Sequence, residues 1–555
     1  MARRVRNTLA AIVGALAAGA LAPACFTTGE GASEVGSSAC NCPPLAEPGG
    51  RSVEDAAPTS GGTVTIAITT EPSTLLSMYS ADATAEQIAD HELIEALTVL
   101  DPASGEAEPE LAARWENEPG TGLYTFHLVE GARWHDGAAF SSADVVFTFD
   151  QLLDPAGGAL LRTDFLDVRE VVGVDDVTVT VRLDRDRPDL PVALSRIPIL
   201  PRHVFGQETV ATHPAARAPV GTGPFRFASW ERGERIELVR NPEFRGAAPR
   251  VDRVVYRLVP ERHVALDLFR GGEVDVVPGI GGARLDAKSL SAGRRVAYPL
   301  ESFVGIVYNA ASPQFRDAAT RRALGLLLDR EAIRCSVLRC LAEIALDPWP
   351  RPRGGAPGAT ASAYDPVAAR RQLDAAGWRD GDGDGVRERD GTKLSFRLLV
   401  PDTDRDARRW ITLFEADLEA AGIATRVAAL GWGAYTSRLH AHRFDAAVVT
   451  FSNARPFDPR RLFHSAEASG LNFGAFAERE IDAALDELSA ATVPERRAEI
   501  EARLTRLLGE TQPMTIAFRP AEAMLVRDTV RGVRIRGERL DERALWIDPS
   551  KRDRP

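Results

Sequence analysis

The chain has few lysines, fewer basic than acidic residues, and no apolar run long enough to cross a membrane. Only three of its 67 basic residues are lysines, and 79 acidic residues give a formal net charge of -12. A broad basic surface for nucleic acid or anionic lipid needs an excess of clustered cations, so this composition argues against both classes of partner. The length of 555 residues and the 44% hydrophobic content indicate a globular protein of two or three domains.

The N-terminus is typical of an exported protein. Three arginines within the first six residues precede the apolar run Leu9–Leu21, which is too short to span a bilayer, and Cys25 follows it. This order predicts an export signal over residues 1–24 and a lipid anchor on Cys25, with cleavage before Cys25 and release of the chain as the alternative. Residues 25–61 are rich in Gly, Ser, Pro and Glu, which predicts a flexible tether.

The chain has five cysteines, and disulfides form in the oxidising compartments to which exported proteins go. Cys40 and Cys42 lie in the predicted tether, where two thiols without a nearby histidine are a poor metal site. Cys335 and Cys340 are close in sequence, and in an unbroken helix their Cα atoms would lie roughly 8 Å apart, beyond disulfide reach. A bridge between these two residues therefore requires a helix to end between them.

The stretch Leu111–Phe149 combines several local signals. Leu123–Leu128 alternates as a strand, Glu130–Gly131 predicts a turn, and Ser141–Asp144 predicts a helix start before an apolar run. This order resembles the signature segment of the family 5 extracytoplasmic solute-binding proteins, the peptide- and nickel-type receptors of ABC importers.

Other segments resemble motifs of the same family and come in the family's order. They are Val220–Phe225 (VGTGPF), Asn241–Gly246 (NPEFRG), Leu266–Asp275 (LDLFRGGEVD), the helix-like Ala318–Arg330 and the helix-like Asp365–Trp378. Strands are predicted at Gly62–Thr69 and Val304–Asn309, and a helix at Ala85–Leu100. The resemblance extends from about Gly61 to the C-terminus.

The resemblance implies an α/β fold of two lobes, of the type II periplasmic-binding-protein kind, with an additional inserted subdomain. The expected division is lobe one at 62–95, 219–305 and 515–550, the inserted subdomain at 96–218, and lobe two at 306–514. The two chain crossings between the lobes are expected near Val304–Asn309 and Pro513–Phe518.

The resemblance also implies a function without catalysis. A monomeric, extracytoplasmic receptor would capture a peptide-like, anionic or other small polar solute by lobe closure and deliver it to ABC permease subunits, needing no cofactor. A membrane-tethered sensor or interaction protein of the same fold is the alternative. A secreted hydrolase has only export in its favour, because the chain contains no GxSxG elbow, HELIE lacks a second histidine, and Gly221–Gly223 is not a dinucleotide loop.

The segment Gly431–Pro459 resembles the family's cleft-lining block. The expected ligand contacts are Trp432, Tyr435, Phe451, Ser452, Asn453, Ala454 and Arg455, with Tyr308 on a crossing strand and the loop Glu71–Ala83. Peptide-binding members carry an Asp in this block that holds the peptide ammonium, whereas Ser452–Arg455 contains no acid. Arg455 in the cleft would favour a carboxylate or phosphate ligand. If Arg455 instead faces solvent, backbone groups and Asn453 would hold the ligand.

Two short patterns could bind a metal. Asp380, Asp382 and Asp384 match the first half of an EF-hand calcium loop, but its last ligand position is Gly391. The pattern predicts either a hairpin turn or a turn stabilised by calcium. His440 and His442 would share one face if they lay on a strand, which could suit a transition metal.

Overall fold

The computed structural model describes residues 42–46, 57–80, 82–101, 104–206, 209–281, 287–350, 364–454, 456–491 and 493–551. All of them belong to the unit Asn41–Pro555. The predictions for the export signal, Cys25, Cys40 and Arg455 lie outside the described residues. Within those residues, no helix combines the length and the apolar character that a membrane crossing requires.

Strands and helices alternate along much of the chain. The strands are β1 (Thr63–Ile68), β2 (Thr98–Leu100), β3 (Ala107–Pro109), β4 (Ala112–Glu118), β5 (Leu123–Leu128), β6 (Val168–Asp175), β7 (Thr178–Leu183), β8 (Phe225–Glu231), β9 (Arg235–Arg240), β10 (Arg253–Leu258), β11 (Val276–Val277), β12 (Gly293–Pro299), β13 (Ser302–Tyr308), β14 (Ala342–Ile344), β15 (Glu388–Arg389), β16 (Thr392–Lys393), β17 (Ser395–Pro401), β18 (Ala424–Leu430), β19 (Ala446–Ser452), β20 (Met514–Arg527), β21 (Val530–Arg531), β22 (Ile535–Arg536), β23 (Arg539–Leu540) and β24 (Trp546–Ile547). The helices are α1 (Ala83–Ala89), α2 (Ser142–Leu153), α3 (Leu190–Leu194), α4 (Arg202–Phe205), α5 (Arg262–Gly271), α6 (Ala287–Ala292), α7 (Ala318–Leu326), α8 (Arg330–Ser336), α9 (Pro366–Ala375), α10 (Arg405–Ala420), α11 (Trp432–His440), α12 (Arg460–Phe463), α13 (Arg479–Ala490) and α14 (Pro494–Thr511).

The long strand β20 is shared by two halves of the main sheet. Across the described strands the sheet runs β18-β17-β19-β13-β20-β11-β1-β10-β9-β8, with β12 and β14 also paired to β20. The first part of β20 pairs with β13, and its second part pairs with β12 and β11. One strand therefore belongs to both lobes of the expected two-lobe α/β fold.

Each half of the sheet is covered by apolar side chains on both faces. Successive strand residues point to opposite faces, so Leu398 and Leu399 enter two different clusters in one half of the sheet. Ile66 and Ala67 do the same in the other half. A strand buried on both faces explains the nearly continuous apolar runs of β13, β19 and β20.

The inserted subdomain is a four-stranded antiparallel sheet in the order β4-β5-β7-β6, against which α2 packs. The predicted strand Leu123–Leu128 is β5, and the predicted turn follows it. The predicted helix start is confirmed as well, since Ser141 and Asp144 form a reciprocal capping box at the beginning of α2.

The family motifs meet in one buried place. The main-chain N–H of His135 donates to the carbonyl of Gly221 at 2.8 Å, and the N–H of Gly221 donates to His135 Nδ1 at 3.1 Å. His135 Nε2 and Asn241 Nδ2 both lie 3.0 Å from the carbonyl oxygen of Gly223. A Cβ on Gly221 would lie 1.7 Å from the carbonyl oxygen of Leu93, so only glycine fits there. These motifs therefore build the scaffold.

Two helix predictions were wrong in their extent. The helix expected over Ala85–Leu100 ends at Ala89, because His91 adopts a positive φ of 65° and the chain turns before β2. The turn buries Glu92 and Glu95, and Glu95 forms an ion pair with Arg245 of the NPEFRG motif. Pairing of these buried carboxylates with residues from distant segments therefore favours a turn here over a continuous helix. The helix expected over Ala318–Arg330 is likewise divided between α7 and α8.

The cysteine pairing differs from the one considered from sequence. Cys42 is bonded to Cys340, with their Cα atoms 5.3 Å apart, and Cys335 is also disulfide-bonded. A bridge between Cys335 and Cys340 is therefore wrong. α8 does end between them, but Cys340 then adopts a positive φ of 64° and pairs with a residue far away in sequence.

The segment before the folded body is attached to it. Besides the bond from Cys42, the N–H of Ala46 donates to the carbonyl of Ala297 in β12 at 2.6 Å. Residues 42–46 fall within the range 25–61 that was predicted to be a flexible tether. Part of that range is thus fixed to the body by a covalent bond and a main-chain hydrogen bond.

Candidate ligand-binding site

Two chain segments lie side by side close to the crossings expected near Val304–Asn309 and Pro513–Phe518. Leu300 and Glu301 separate β12 from β13, and the N–H of Leu300 donates to the carbonyl of Pro520 in β20 at 2.9 Å. We call this place, residues 299–302 and 518–521, the junction. A ligand held between two lobes of this kind lies next to such crossings, because closure bends the chain there.

The loop after β19 is fastened to the junction. The N–H of Asn453 donates to the carbonyl of Glu301 at 3.0 Å. The buried amide of Asn453 donates to the carbonyls of Pro348 and Trp349, at 3.1 and 3.2 Å. Ser452 and Ala454 on either side are exposed. The side chain of Asn453 therefore holds a neighbouring segment in this conformation, and its role as a ligand contact stays a prediction.

A buried ion pair holds the same segment from the other side. Arg519 of β20 donates to the carboxylate of Asp347 at 2.8 Å, and also to the carbonyls of Asp347 and Trp349. Both side chains of the pair are buried, and a buried charge needs such a partner. Sequence analysis missed this pair, because neither residue belongs to a family motif and their separation in sequence is large.

Acidic residues surround the junction. The N–H of Glu301 donates to the carboxylate of Glu538, which is exposed in the turn between β22 and β23. Burial raises the pKa of Tyr298 in β12, and the negative charges of Glu522 and Glu538 raise it further. Two carboxylates, of Glu522 and Glu538, therefore lie beside the junction, although Ser452–Ala454 contains no acid.

The aromatic candidates divide into buried and exposed side chains. The hydroxyl of Tyr308 shares a 2.7 Å hydrogen bond with Thr515, and burial raises its pKa to about 12. Tyr435 donates to the carbonyl of Val448, and Phe451 packs between two other phenylalanines. Trp432, by contrast, is 63% exposed and stacks on Tyr435 with ring centroids 5.8 Å apart. Of these four, Trp432 offers a free surface, and ligand contact by the others stays a prediction.

The loop Glu71–Ala83 is largely part of the lobe-one core. Glu71 accepts hydrogen bonds from the indole of Trp230 at 2.8 Å and the N–H of Gly233 at 3.1 Å, and these bonds lower its pKa. Leu75 and Leu76 are fully buried. Glu71 therefore anchors the loop to the turn between β8 and β9.

The three aspartates of the calcium-like pattern form an exposed turn. Their candidate ligand atoms lie within 4.8 Å of one another. The ammonium of Lys393 bonds to Asp382 at 2.8 Å and to Asp384, while Asp380 accepts the N–H groups of Gly383 and Gly385. The turn connects Arg379 and Glu388, which form an isolated antiparallel β-bridge. Lys393 thus supplies positive charge where an ion would, and calcium binding stays a prediction.

The histidine pair expected on a strand does not lie on one. His440 ends α11, and His442 follows it with a positive φ of 52°. The Nδ1 atom of His442 is hydrogen-bonded to the carbonyl of Phe473 at 2.8 Å. The two rings therefore do not share a strand face, and the prediction was wrong because the helix extends to His440.

Comparison with known proteins matches this architecture. The model of the bacterial extracellular solute-binding proteins, family 5 Middle, matches residues 106–471. The oligopeptide-binding protein AppA of Bacillus subtilis (strain 168) is 25% identical over 495 residues, which cover 87% of this chain and 90% of AppA.

Two solved structures share the fold. The structure of AppA from Bacillus subtilis in complex with a nonapeptide has a TM-score of 0.65 at 24% identity, covering 89% of this chain and 100% of that chain. The structure of NikZ from Campylobacter jejuni in complex with Ni(L-His) has a TM-score of 0.66 at 22% identity, covering 87% and 99%. Both likenesses concern the fold.

Proposed function

Because the chain belongs to the bacterial extracellular solute-binding proteins, family 5, we propose that it captures a peptide-like solute between its lobes and delivers it to an ABC permease. The observation that carries this proposal is the junction, where the segment between β12 and β13 and the middle of β20 run side by side next to the exposed residues Ser452 and Ala454. A ligand there could contact both lobes, and only such contact shifts an open–closed equilibrium. The family consists of solute-binding proteins rather than enzymes.

The charges around the junction favour a ligand with a positive group. Glu522 and Glu538 lie beside it, and a carboxylate is the partner that an ammonium group needs when it leaves water. Exposed Trp432 supplies a flat apolar surface in lobe two. This differs from the family pattern, in which an Asp in the loop after the strand has that role. The opposite expectation, an anionic ligand, depends on Arg455.

The protein would work outside the cytoplasm as a monomer. The disulfide between Cys42 and Cys340 fits an oxidising compartment, and the N-terminal pattern fits export with a lipid on Cys25. Such an anchor would keep the receptor close to its permease.

Titration calorimetry with the purified chain tests the proposal. The ligands are a pool of short peptides with free N-termini, the same pool N-acetylated, and Ni(L-His). We expect the free-amine pool to bind and to shrink the radius of gyration in small-angle X-ray scattering. Absence of binding by every ligand, or binding without compaction, would overturn the proposed mode of capture.

The variant Glu538→Gln tests the role of the acidic junction. It keeps an oxygen that can accept from Glu301 but removes the charge, so we expect free-amine peptides to bind at least several-fold more weakly. Glu234→Gln is the matched control, because Glu234 is also an exposed lobe-one carboxylate, in the turn between β8 and β9. Equal affinity of the free and acetylated pools, unchanged in Glu538→Gln, would show that amine recognition is wrong.

A further inference from the structure

The end of α11 has a closed and well-defined geometry. His442 adopts the left-handed conformation with φ 52°, and its N–H donates to the carbonyl of Leu439 at 3.0 Å. The N–H of Arg443 donates to the carbonyl of Arg438 at 2.9 Å. These two bonds define a Schellman motif, which satisfies the last carbonyls of a helix and fixes the direction in which the chain leaves.

The residue types in this motif are unusual. The Schellman motif frequently brings together two apolar side chains, at the positions that Arg438 and Arg443 occupy here. Two guanidinium groups are thus placed where an apolar contact would normally stabilise the turn. Arg397 of β17 lines the same concavity of about 430 Å³, together with Ser437. Three positive charges therefore converge on one small depression.

The nearby acid does not neutralise these charges. Within the part of the chain that the structure describes, none of the three guanidinium groups forms an ion pair or a side-chain hydrogen bond. The carboxylate of Asp445, two residues after Arg443, accepts the main-chain N–H of Arg397 at 2.9 Å and the hydroxyl of Ser312 at 3.2 Å. The helix C-terminus contributes a partial negative charge of only about one half.

We propose that this depression is an oxyanion site for a phosphate-type group. Guanidinium groups donate paired hydrogen bonds that match phosphate geometry, and the hydroxyl of Ser437 adds a further donor. A bound phosphate would replace the repulsion between Arg438 and Arg443 by attraction. The site contrasts with the net charge of -12 of the whole chain, so anion binding here would be local rather than general.

The site lies away from the junction, at the other end of β19. It lies beside the start of β19, whereas Ser452 ends that strand. Seven strand residues at about 3.3 Å each put the two places about 20 Å apart. The phosphate group could be free in solution or belong to a lipid headgroup, and the inference does not depend on which solute the cleft takes.

Binding of inorganic phosphate and of vesicles to the full chain tests the inference. Calorimetry at low ionic strength measures phosphate, and co-sedimentation compares vesicles of phosphatidylglycerol and phosphatidylcholine with those of phosphatidylcholine alone. The double variant Arg438→Gln/Arg443→Gln should weaken binding at least tenfold. The double variant Arg405→Gln/Arg408→Gln is the control, because it removes two exposed arginines of α10 in the same lobe.

Binding of phosphate by the wild type and the control, but not by the Arg438/Arg443 variant, would support a site for the free ion. Binding of the mixed vesicles alone, with the same variant pattern, would support a lipid headgroup as the source. Equal binding by all three proteins, or no binding of either probe by the wild type, would overturn the inference. Thermal unfolding of each variant checks that it is folded.

Discussion

Acid should destabilise this protein partly through His135. Burial lowers the pKa of His135 from 6.5 to about 4. Its Nδ1 accepts the N–H of Gly221, and its Nε2 lies 3.0 Å from the carbonyl oxygen of Gly223. The neutral ring with its proton on Nε2 satisfies both contacts, whereas a second proton on Nδ1 would remove an acceptor. The folded protein therefore resists protonation that the unfolded chain accepts.

The sign and size of the effect follow from linkage. Between pH 6.5 and pH 4 the unfolded chain carries a proton on His135 that the folded chain lacks, so stability falls as the pH falls. For a shift from 6.5 to about 4, the contribution lost between pH 7.5 and pH 5 is about 2 kcal/mol.

Urea denaturation at pH 7.5 and pH 5, followed by tryptophan fluorescence, measures this contribution. His135→Gln should be less stable than the wild type at pH 7.5, but should lose about 2 kcal/mol less on acidification. His263→Gln is the control, because it replaces a histidine that is exposed on α5. If His135→Gln and the wild type lose equal stability between the two pH values, the argument from burial is refuted.

Three further outcomes are expected. Asn453→Ala leaves the carbonyl of Pro348 without its donor and takes one of two donors from the carbonyl of Trp349, which should cost about 1–3 kcal/mol in urea denaturation; a loss near zero would contradict its structural role. Proteolysis without reduction, followed by mass spectrometry, should recover a peptide joining Cys42 to Cys340, and a peptide joining Cys335 to Cys340 would disprove the observed pairing. Millimolar calcium should raise the midpoint of thermal unfolding of Lys393→Ala more than that of the wild type, because the ammonium of Lys393 neutralises the aspartate turn; an equal or larger rise in the wild type would contradict this reasoning.

Local signals predicted much of the fold. Leu123–Leu128 forms its strand and Ser141 begins its helix, because alternation and capping depend on residues close in sequence. The helix at Asp365 was also predicted, and its N-cap carboxylate accepts the N–H of Ala368. Ala85–Leu100 failed because its carboxylates pair with residues from distant segments, which no local pattern contains.

The candidate site was less predictable than the fold. Ser452 lies at the end of a strand, but Asn453 and Tyr308 direct their polar groups into the protein. Arg519 and Glu538 were missed, because their importance comes from partners far away in sequence.

By itself, the sequence determined the family, the α/β character and the order of the scaffold motifs, since these depend on residue types and spacings along the chain. Tertiary structure alone decided which cysteine Cys340 meets, which acids gather at the junction, and that Arg397 joins Arg438 and Arg443 at the end of a helix. The physical reason is that charge pairing, burial and disulfide reach act over a few ångströms of space, and folding brings together residues that are hundreds of positions apart in sequence.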